Sequence, residues 1–267
     1  MVAHILDGTS GELENLFQRC KSLSWIFYNR RAEVDLAART LASASLPALE
    51  HLTIQGLFVF NDDPMTRLRR LLRLPRLKEV TLINHSETCT PPFFHDDDFA
   101  RVERLTFTNT SRWMDYDIIC IHRFRSIRSL MLKDAGYFKA QPYGETQSDL
   151  VEPAELPLLE TLTLSGDIPH QVLNLIRTPG LRKMEIEADT ARGWHSLVAI
   201  NLIHMVRSLE RLYVNLREGM HVTYWVEELE RLVAEASFLV SMCISPWMAQ
   251  HLKGEEWCNR LHITDSS

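Results

Sequence analysis

A run of metal-ligand side chains is the first stretch of this sequence that could do chemistry. His95, Asp96, Asp97 and Asp98 follow one another directly. Four consecutive residues do not converge on one ion without the alternating frame of a calcium-binding loop, so we predict a solvated acidic loop there and no metal site. The catalytic motifs of serine hydrolases, phosphate-binding loops, dinucleotide-binding turns and zinc proteases are missing. The sequence therefore predicts neither an enzyme nor a bound cofactor.

A basic stretch is the second candidate. RLRRLLRLPRLK (67–78) contains six basic residues and no acidic one. It could bind nucleic acid or an acidic partner, or it could be a helix face with its leucines inward and its arginines in solvent. No aromatic residue is interleaved for base stacking, and the chain carries a net charge of −6. We therefore favour the solvated helix and predict no nucleic-acid binding.

The cysteines and the hydropathy indicate the cellular compartment. The five cysteines (Cys20, Cys89, Cys120, Cys243 and Cys258) are scattered and form no C-x-x-C pair. This usage is typical of reduced thiols rather than of a disulfide framework or a zinc site. No apolar run is long enough to span a membrane, and the N-terminus does not resemble a signal peptide. We expect a protein of the cytoplasm or nucleus without membrane contact.

One nine-residue pattern dominates the rest of the chain. It reads LPALEHLTI at 46–54, LPRLKEVTL at 74–82 and LPLLETLTL at 156–164. Counting from the first leucine, positions 4, 7 and 9 are apolar. The same frame fits Val102, Leu105 and Phe107; Ile127, Leu130 and Leu132; Leu181, Met184 and Ile186; and Leu209, Leu212 and Val214. Weaker copies are Leu23, Ile26 and Tyr28; Leu239, Met242 and Ile244; and Cys258, Leu261 and Ile263.

The spacing of these copies predicts the fold. They recur on average about every 26 residues, inside the roughly 20–29 residues typical of leucine-rich repeats. The LxL alternation predicts a short strand, and helical periodicity follows several copies, as at 64–74, 111–121, 168–178, 191–206 and 222–236. We predict an α/β leucine-rich-repeat solenoid of the ribonuclease-inhibitor-like type, with irregular repeats, a parallel concave sheet and helices on the convex side. Residues 1–267 form one domain of about 9–10 repeats.

Proline, two loops and the chain ends complete this prediction. Pro47, Pro75, Pro157 and Pro179 precede strands, and we expect them to end the preceding helix. We predict an irregular connection at residues 86–99 and an inserted surface loop at residues 133–155. Residues 1–19 predict a capping helix, built from TSGELENLFQRC (9–20). The last strand has no evident cap, so we expect either self-association through the C-terminal edge or an incomplete member of its family.

Residues between the inward leucines are the candidate binding residues. If positions 7 and 9 face the core, positions 6, 8 and 10 face the concave surface. Threonine is frequent there, which strand propensity alone explains. Arginine and tyrosine are enriched in binding hot spots. The predicted partner-binding set is Trp25, Phe27, His51, Thr53, Gln55, Glu79, Arg104, Met131, Lys133, Lys183, Glu185, Arg211 and Tyr213.

Two runs resemble a known protein family. LPLLETLTLSGDIPHQVLNLIRTPGLRKMEIEA (156–188) and LPALEHLTIQGL (46–57) resemble the leucine-rich half of F-box proteins from mushroom-forming fungi. The resemblance covers roughly residues 20–245. It implies a curved solenoid and, for members that carry an F-box, docking on a Skp1-type adaptor and presentation of targets to a ubiquitin ligase. We find no F-box motif before the first repeat, so the adaptor is expected only for a longer form.

These observations predict an interaction scaffold that binds a protein partner on its concave face, as a substrate receptor related to F-box subunits. Two alternatives remain at this point. The chain could regulate an enzyme such as a GTPase through the 133–155 loop or an exposed arginine. It could also sense a small molecule in a pocket formed by Trp25, Phe27, Tyr213 or that loop.

Overall fold

Two compact units make up the computed structural model of the chain. It describes residues 10–26, 45–56, 73–84, 101–109, 124–134, 154–166, 176–188, 205–217, 222–252 and 262–265. Unit 1 comprises residues 1–127 and 136–139, and unit 2 comprises residues 128–135 and 140–267. The assignment of residues 1–267 to one domain stays a prediction.

Unit 1 begins with helix α1 and continues as a parallel sheet. Helix α1 is followed by four strands that pair in chain order, β1 with β2, β2 with β3 and β3 with β4. The elements are α1 (Ser10–Arg19), β1 (Ser22–Ile26), β2 (His51–Gly56), β3 (Glu79–Asn84) and β4 (Arg104–Asn109). Each strand lies at one predicted copy of the repeat.

Unit 2 follows the same plan with further elements between the strands. Strands β5, β7, β9, β10, β11 and β12 pair in that order and are parallel, while β6 and β8 form a separate parallel pair. The strands are β5 (Ser129–Asp134), β6 (Ala154–Glu155), β7 (Thr161–Ser165), β8 (Ile176–Arg177), β9 (Lys183–Ala188), β10 (Arg211–Leu216), β11 (Ser241–Ile244) and β12 (His262–Asp265). The helices are a 3₁₀ turn (Val206–Ser208), α2 (Val222–Glu235) and α3 (Pro246–His251). Each unit is therefore built as a parallel-strand repeat solenoid.

Apolar columns hold successive repeats together. The strand register aligns Leu52 with Val80 and Val80 with Leu105, and in unit 2 it aligns Leu162, Met184, Leu212 and Met242. Full burial of one such side chain stabilises the fold by roughly 1.5–3 kcal/mol. Fully or almost fully buried residues at positions 4, 7 and 9 include Leu49, Leu77, Val102, Ile127, Leu130, Leu132, Leu159, Leu164, Leu181, Ile186, Leu209 and Val214. The predicted core frame is confirmed at these repeats.

Proline at position 2 forms the corner of a turn. The N–H of Leu49 donates to the carbonyl of Leu46, three residues earlier, at 3.2 Å, and Leu159 donates to Leu156 in the same way. Position 2 is therefore the second residue of a β-turn, where the fixed φ of proline is favourable. Position 1 is buried at Leu46 and Leu156, so the turn carries the chain from the core into the strand. The sequence predicts proline before the strand and at the end of a helix, and the structure adds its place in this turn.

A shared backbone acceptor sets the register between neighbouring repeats. The carbonyl of Glu50 accepts two hydrogen bonds, from the N–H of Lys78 at 3.0 Å and of Glu79 at 3.1 Å. The carbonyl of Glu160 accepts the corresponding pair from Arg182 and Lys183. Because a slip of one residue would place the apolar set on the opposite face, this anchor at position 5 and the apolar columns enforce the same alignment.

Charges alternate in sign at position 5 within each unit. In unit 2, Arg128 Nη1 lies 2.5 Å from Glu160 Oε1, and Arg182 Nη1 lies 3.8 Å from Glu210 Oε1. Exposed pairs of this kind contribute about 0–1 kcal/mol each, so they favour the observed order of repeats more than they add stability. The alternating residues are Lys21, Glu50, Lys78 and Glu103 in unit 1, and Arg128, Glu160, Arg182 and Glu210 in unit 2.

The predicted register of the first repeat is wrong. Strand β1 aligns Leu23 with Leu52 and Trp25 with Ile54, so these two residues occupy positions 7 and 9. The sequence frame predicts Leu23 at position 4 and Trp25 among the concave residues. Two registers of SLSWIFY fit the frame, because Leu23 and Trp25 are spaced in the same way as Ile26 and Tyr28. Likewise, β12 aligns Ile263 rather than Leu261 with Met242.

The predicted connections have mixed outcomes. Helices are confirmed at α1 and at α2, which matches the 222–236 prediction. Residues 176–178, predicted to end a helix, form β8 and the start of a turn. The other predicted helices and the 86–99 connection lie almost wholly outside the described residues. Of the predicted 133–155 loop, the structure describes only its ends, in β5 and β6. Among described residues, no helix has the length and apolar composition needed to cross a membrane.

One hydroxyl in the apolar column of position 1 gives a stability test. Thr178 is 5% exposed, and its Oγ1 has no hydrogen-bond partner among the residues that the structure describes. Replacing a buried, unpaired polar group by an apolar group of the same shape avoids a desolvation cost. We expect Thr178→Val to raise the free energy of unfolding by about 1 kcal/mol, measured by urea denaturation. Thr178→Ser keeps the hydroxyl and loses the methyl, so it should lower that free energy; an unfavourable Thr178→Val would contradict the assignment.

Candidate functional site

The sheet side opposite the buried leucines carries the more accessible side chains of most strands, although Thr163 and Ser165 of β7 are buried there. We call it the open face and define it as positions 6, 8 and 10 of the strands. In β9 the burial alternates strictly, with Lys183, Glu185 and Glu187 half-buried and the intervening side chains buried. In β10 the same alternation leaves Arg211 exposed and Tyr213 half-buried. Strand geometry therefore presents the polar side chains of β9 and β10 in a fixed register.

Three predicted binding residues form one ion network in unit 1. His51, Glu79 and Arg104 occupy position 6 of β2, β3 and β4 and are aligned by the register. Arg104 donates to Glu79 Oε2 from Nε at 2.9 Å and contacts the same oxygen through Nη2 at 2.8 Å. His51 Nδ1 lies 3.1 Å from that oxygen. Two basic side chains thus meet one carboxylate on the open face.

The network controls the charge of Glu79. Partial burial raises the pKa of Glu79, but the hydrogen bonds and charges of Arg104 and His51 lower it by more in total. The net result is a pKa below the ordinary value of a glutamate. Glu79 therefore remains ionised under neutral conditions and holds Arg104 in one orientation across the strands.

Uncharged residues fill the remaining open face of unit 1. Position 8 carries a row of hydroxyl residues, and position 10 is mixed. Strand β1 adds Ile26, whose exposure is 36%. Of the predicted set, Thr53 and Gln55 lie in these rows and are half-buried, while Phe27 lies outside the described residues. Position 8 is occupied by Ser24, Thr53, Thr81 and Thr106, and position 10 by Ile26, Gln55, Ile83 and Thr108.

A second ion network lies in unit 2. Lys183 Nζ is 2.5 Å from Glu185 Oε1, and Thr163 Oγ1 donates to Glu185 Oε2 at 2.8 Å. Thr163 is only 6% exposed, so it is a buried support beneath the ion pair. Burial raises the pKa of Glu185. The hydrogen bonds from Lys183 and Thr163, together with the charge of Lys183, lower that pKa by more, so the net pKa lies below the ordinary value of a glutamate.

Four predicted residues of unit 2 lie side by side on β9 and β10. The register aligns Lys183 with Arg211 and Glu185 with Tyr213. Met131 and Lys133 lie on β5, aligned with Thr163 and Ser165 of β7. Lys183, Glu185, Arg211 and Tyr213 are thus grouped on two neighbouring strands of unit 2, whereas Lys133 lies two strands away from β9. The sequence does not indicate that Thr163 supports Glu185, because this role depends on the burial of Thr163 rather than on its residue type.

An aromatic cluster near α3 also escaped prediction. Trp225 is fully buried, and its ring centroid lies 5.7 Å from that of Trp247 and 6.4 Å from that of His251, in edge-to-face arrangements. Trp247 Nε1 donates to the carbonyl of Leu216 at 2.9 Å. These contacts pack α2 and α3 against the end of β10. No repeat frame signals such a cluster, since its members lie between the strands.

The two networks are suited to recognition. Each carboxylate is held by cations or a hydroxyl, so each side chain has a preset orientation and little freedom to transfer a proton. No group of three histidine, cysteine or acidic residues able to hold a metal ion occurs within the described ranges. The arrangement provides half-exposed donors and acceptors at fixed positions.

Comparison with known proteins gives no further identification. No family model matches the sequence, and a search of curated proteins found no match.

The pKa of Glu79 predicts how its contribution to stability depends on pH. Its folded pKa is lowered, so its contribution is present above the unfolded value near 4.5 and is lost as the pH falls through the folded pKa. We expect Glu79→Gln to reduce the free energy of unfolding by up to about 1 kcal/mol near neutrality, because the pair is partly exposed.

This difference should shrink in more acidic solution, below the unfolded pKa. Urea denaturation of both proteins between neutral and acidic pH measures it. Glu103→Gln removes a carboxyl outside the network in the same unit and serves as the control. A Glu79→Gln effect that stays constant down to the lowest pH at which the protein folds would contradict the ionic origin.

Proposed function

We propose that the chain is a protein-interaction scaffold whose open face binds a partner protein. The observation that carries this proposal is the presence of ion-paired side chains in fixed register on the open face of each unit. His51, Glu79 and Arg104 form such a set in unit 1, and Lys183 with Glu185 forms one in unit 2. Ordering these side chains before binding reduces the entropy lost on association.

The chemistry of the open face favours a protein over other ligands. Charges of both signs stand beside hydroxyl rows, and Tyr213 and Arg211 are of the types enriched in binding hot spots. A surface of mixed sign suits a folded or extended protein partner, in which donors and acceptors also alternate. It lacks the excess of cations that nucleic-acid backbones require.

We further propose the leucine-rich-repeat type of solenoid, with helices on the convex side. The LPxLxxLxL frame supports this assignment, as does the position of α2 between β10 and β11. The resemblance to fungal F-box proteins makes a substrate receptor of a ubiquitin ligase the leading interpretation. A Skp1-type adaptor would then bind a longer form that carries an F-box. No observation favours the regulation of a GTPase or the sensing of a small molecule.

Charge reversal on the open face tests the proposal. The chain is immobilised and exposed to an extract of its source cells, and the retained proteins are identified by mass spectrometry. We expect Glu79→Lys or Lys183→Glu to weaken binding of the same partner by roughly tenfold or more, since each creates like charges within an interface. Ubiquitin-ligase subunits or their substrates are the expected class of partner.

Matched controls make the same charge change outside the open face. Glu103→Lys is the control in unit 1 and Arg177→Glu in unit 2, and both should retain wild-type binding. The proposal fails if the wild-type chain retains no specific partner. It also fails if both open-face variants bind as well as their controls.

A further inference from the structure

Two cations stand next to each other on β9 and β10 of unit 2. Lys183 and Arg211 are directly aligned in the register, at position 6 of adjacent strands. Like charges directly opposite one another destabilise a sheet. Elsewhere in this unit opposite charges are paired, as for Arg128 with Glu160. A local arrangement that disfavours the fold is expected at functional positions.

Arg211 is the unpaired member of this arrangement. Lys183 is bound to Glu185, whose second oxygen accepts from Thr163. The preceding residue, Glu210, is directed to Arg182, 3.8 Å away. Within the described part of the chain, both acidic side chains near Arg211 are therefore engaged elsewhere. Arg211 is exposed and has no hydrogen bond or ion pair among the residues that the structure describes.

We propose that Arg211 binds a carboxylate side chain of the partner protein, with Tyr213 as the adjacent contact. This inference rests on the proposed function and names the chemistry that the open face of unit 2 recognises. The guanidinium forms two parallel hydrogen bonds with a carboxylate. Tyr213 lies two residues further along the same face, roughly 6–7 Å away, and offers an aromatic surface to an apolar neighbour of that carboxylate.

The charge balance selects a carboxylate over a phosphate. Lys183 and Arg211 carry two positive charges, and the neighbouring Glu185 carries one negative charge, which leaves an excess of one. That excess matches a single carboxylate. A phosphate with nearly two negative charges would exceed it and would be repelled by Glu185. An acidic segment with an apolar residue close to the carboxylate is the partner that fits.

A peptide selection tests this inference without a known partner. A displayed library of random peptides is selected on the full wild-type chain, and the affinities of individual peptides are measured by fluorescence polarisation. We expect selected peptides to contain Asp or Glu near an aliphatic or aromatic residue. Arg211→Glu should weaken peptide binding roughly tenfold or more. Arg211→Lys should weaken peptide binding less, because lysine keeps the positive charge but cannot form the two parallel hydrogen bonds of a guanidinium.

Two further arms complete the experiment. Arg177 is an exposed arginine of the same unit, and Arg177→Glu should leave the peptide affinity unchanged. A peptide whose acidic residue is replaced by Lys should bind the Arg211→Glu variant again. Bound peptides that lack an acid or ignore Arg211→Glu would overturn the carboxylate site while leaving the proposed function intact. Displacement by phenyl phosphate but not by acetate would overturn it in favour of a phosphate. If neither peptide nor cellular protein binds, the proposed function fails as well.

Discussion

A single repeat of this chain cannot bury its own apolar side chains, and the rest of the structure depends on that constraint. Leu52 is almost fully buried between Leu23 and Val80 of the neighbouring strands, and Leu162 is fully buried between Leu130 and Met184. The shared carbonyl at position 5 imposes the same alignment on the backbone. Apolar burial and hydrogen bonding therefore specify one register, and neither tolerates a slip of one residue.

The open face inherits its order from this register. Its side chains alternate with the buried ones, so residues that are about 25 to 30 apart in sequence become neighbours across strands. Glu79 meets His51 and Arg104 because each occupies position 6. The core thus determines where the side chains of the open face lie, while burial does not fix which charge stands at position 6. Arg211 beside Lys183 is an arrangement that the core permits but does not require.

The sequence predicted the periodic part of the fold, and the reasons are physical. The burial of Leu49, Leu52 and Ile54 can be predicted from the sequence. A strand that is buried on one face must alternate apolar with polar side chains. The sequence also placed His51 and Glu79 on one face. It did not predict their hydrogen bond, because that bond depends on the side-chain rotamers. It misplaced Trp25 because two registers satisfy the same alternation, and only pairing with β2 distinguishes them.

Features set by tertiary contacts were beyond reach. Proline at position 2 was correctly placed before the strand, but its turn required the hydrogen bond between Leu49 and Leu46 to be seen. The packing of Trp225 on Trp247 joins α2 to α3, and no spacing rule connects them. Thr163 looked like any exposed strand threonine until its burial and its bond to Glu185 were known.

The central claim is that a partner meets the open face rather than the turns between repeats. Site-specific photo-crosslinking tests it most directly. A photoreactive phenylalanine analogue is introduced at Thr81 or Met131, which lie on the open face, and at Arg76 or Arg207, which lie in turns. The account predicts that the captured partner crosslinks to the first pair of positions and not to the second. Crosslinks confined to Arg76 and Arg207 would contradict it.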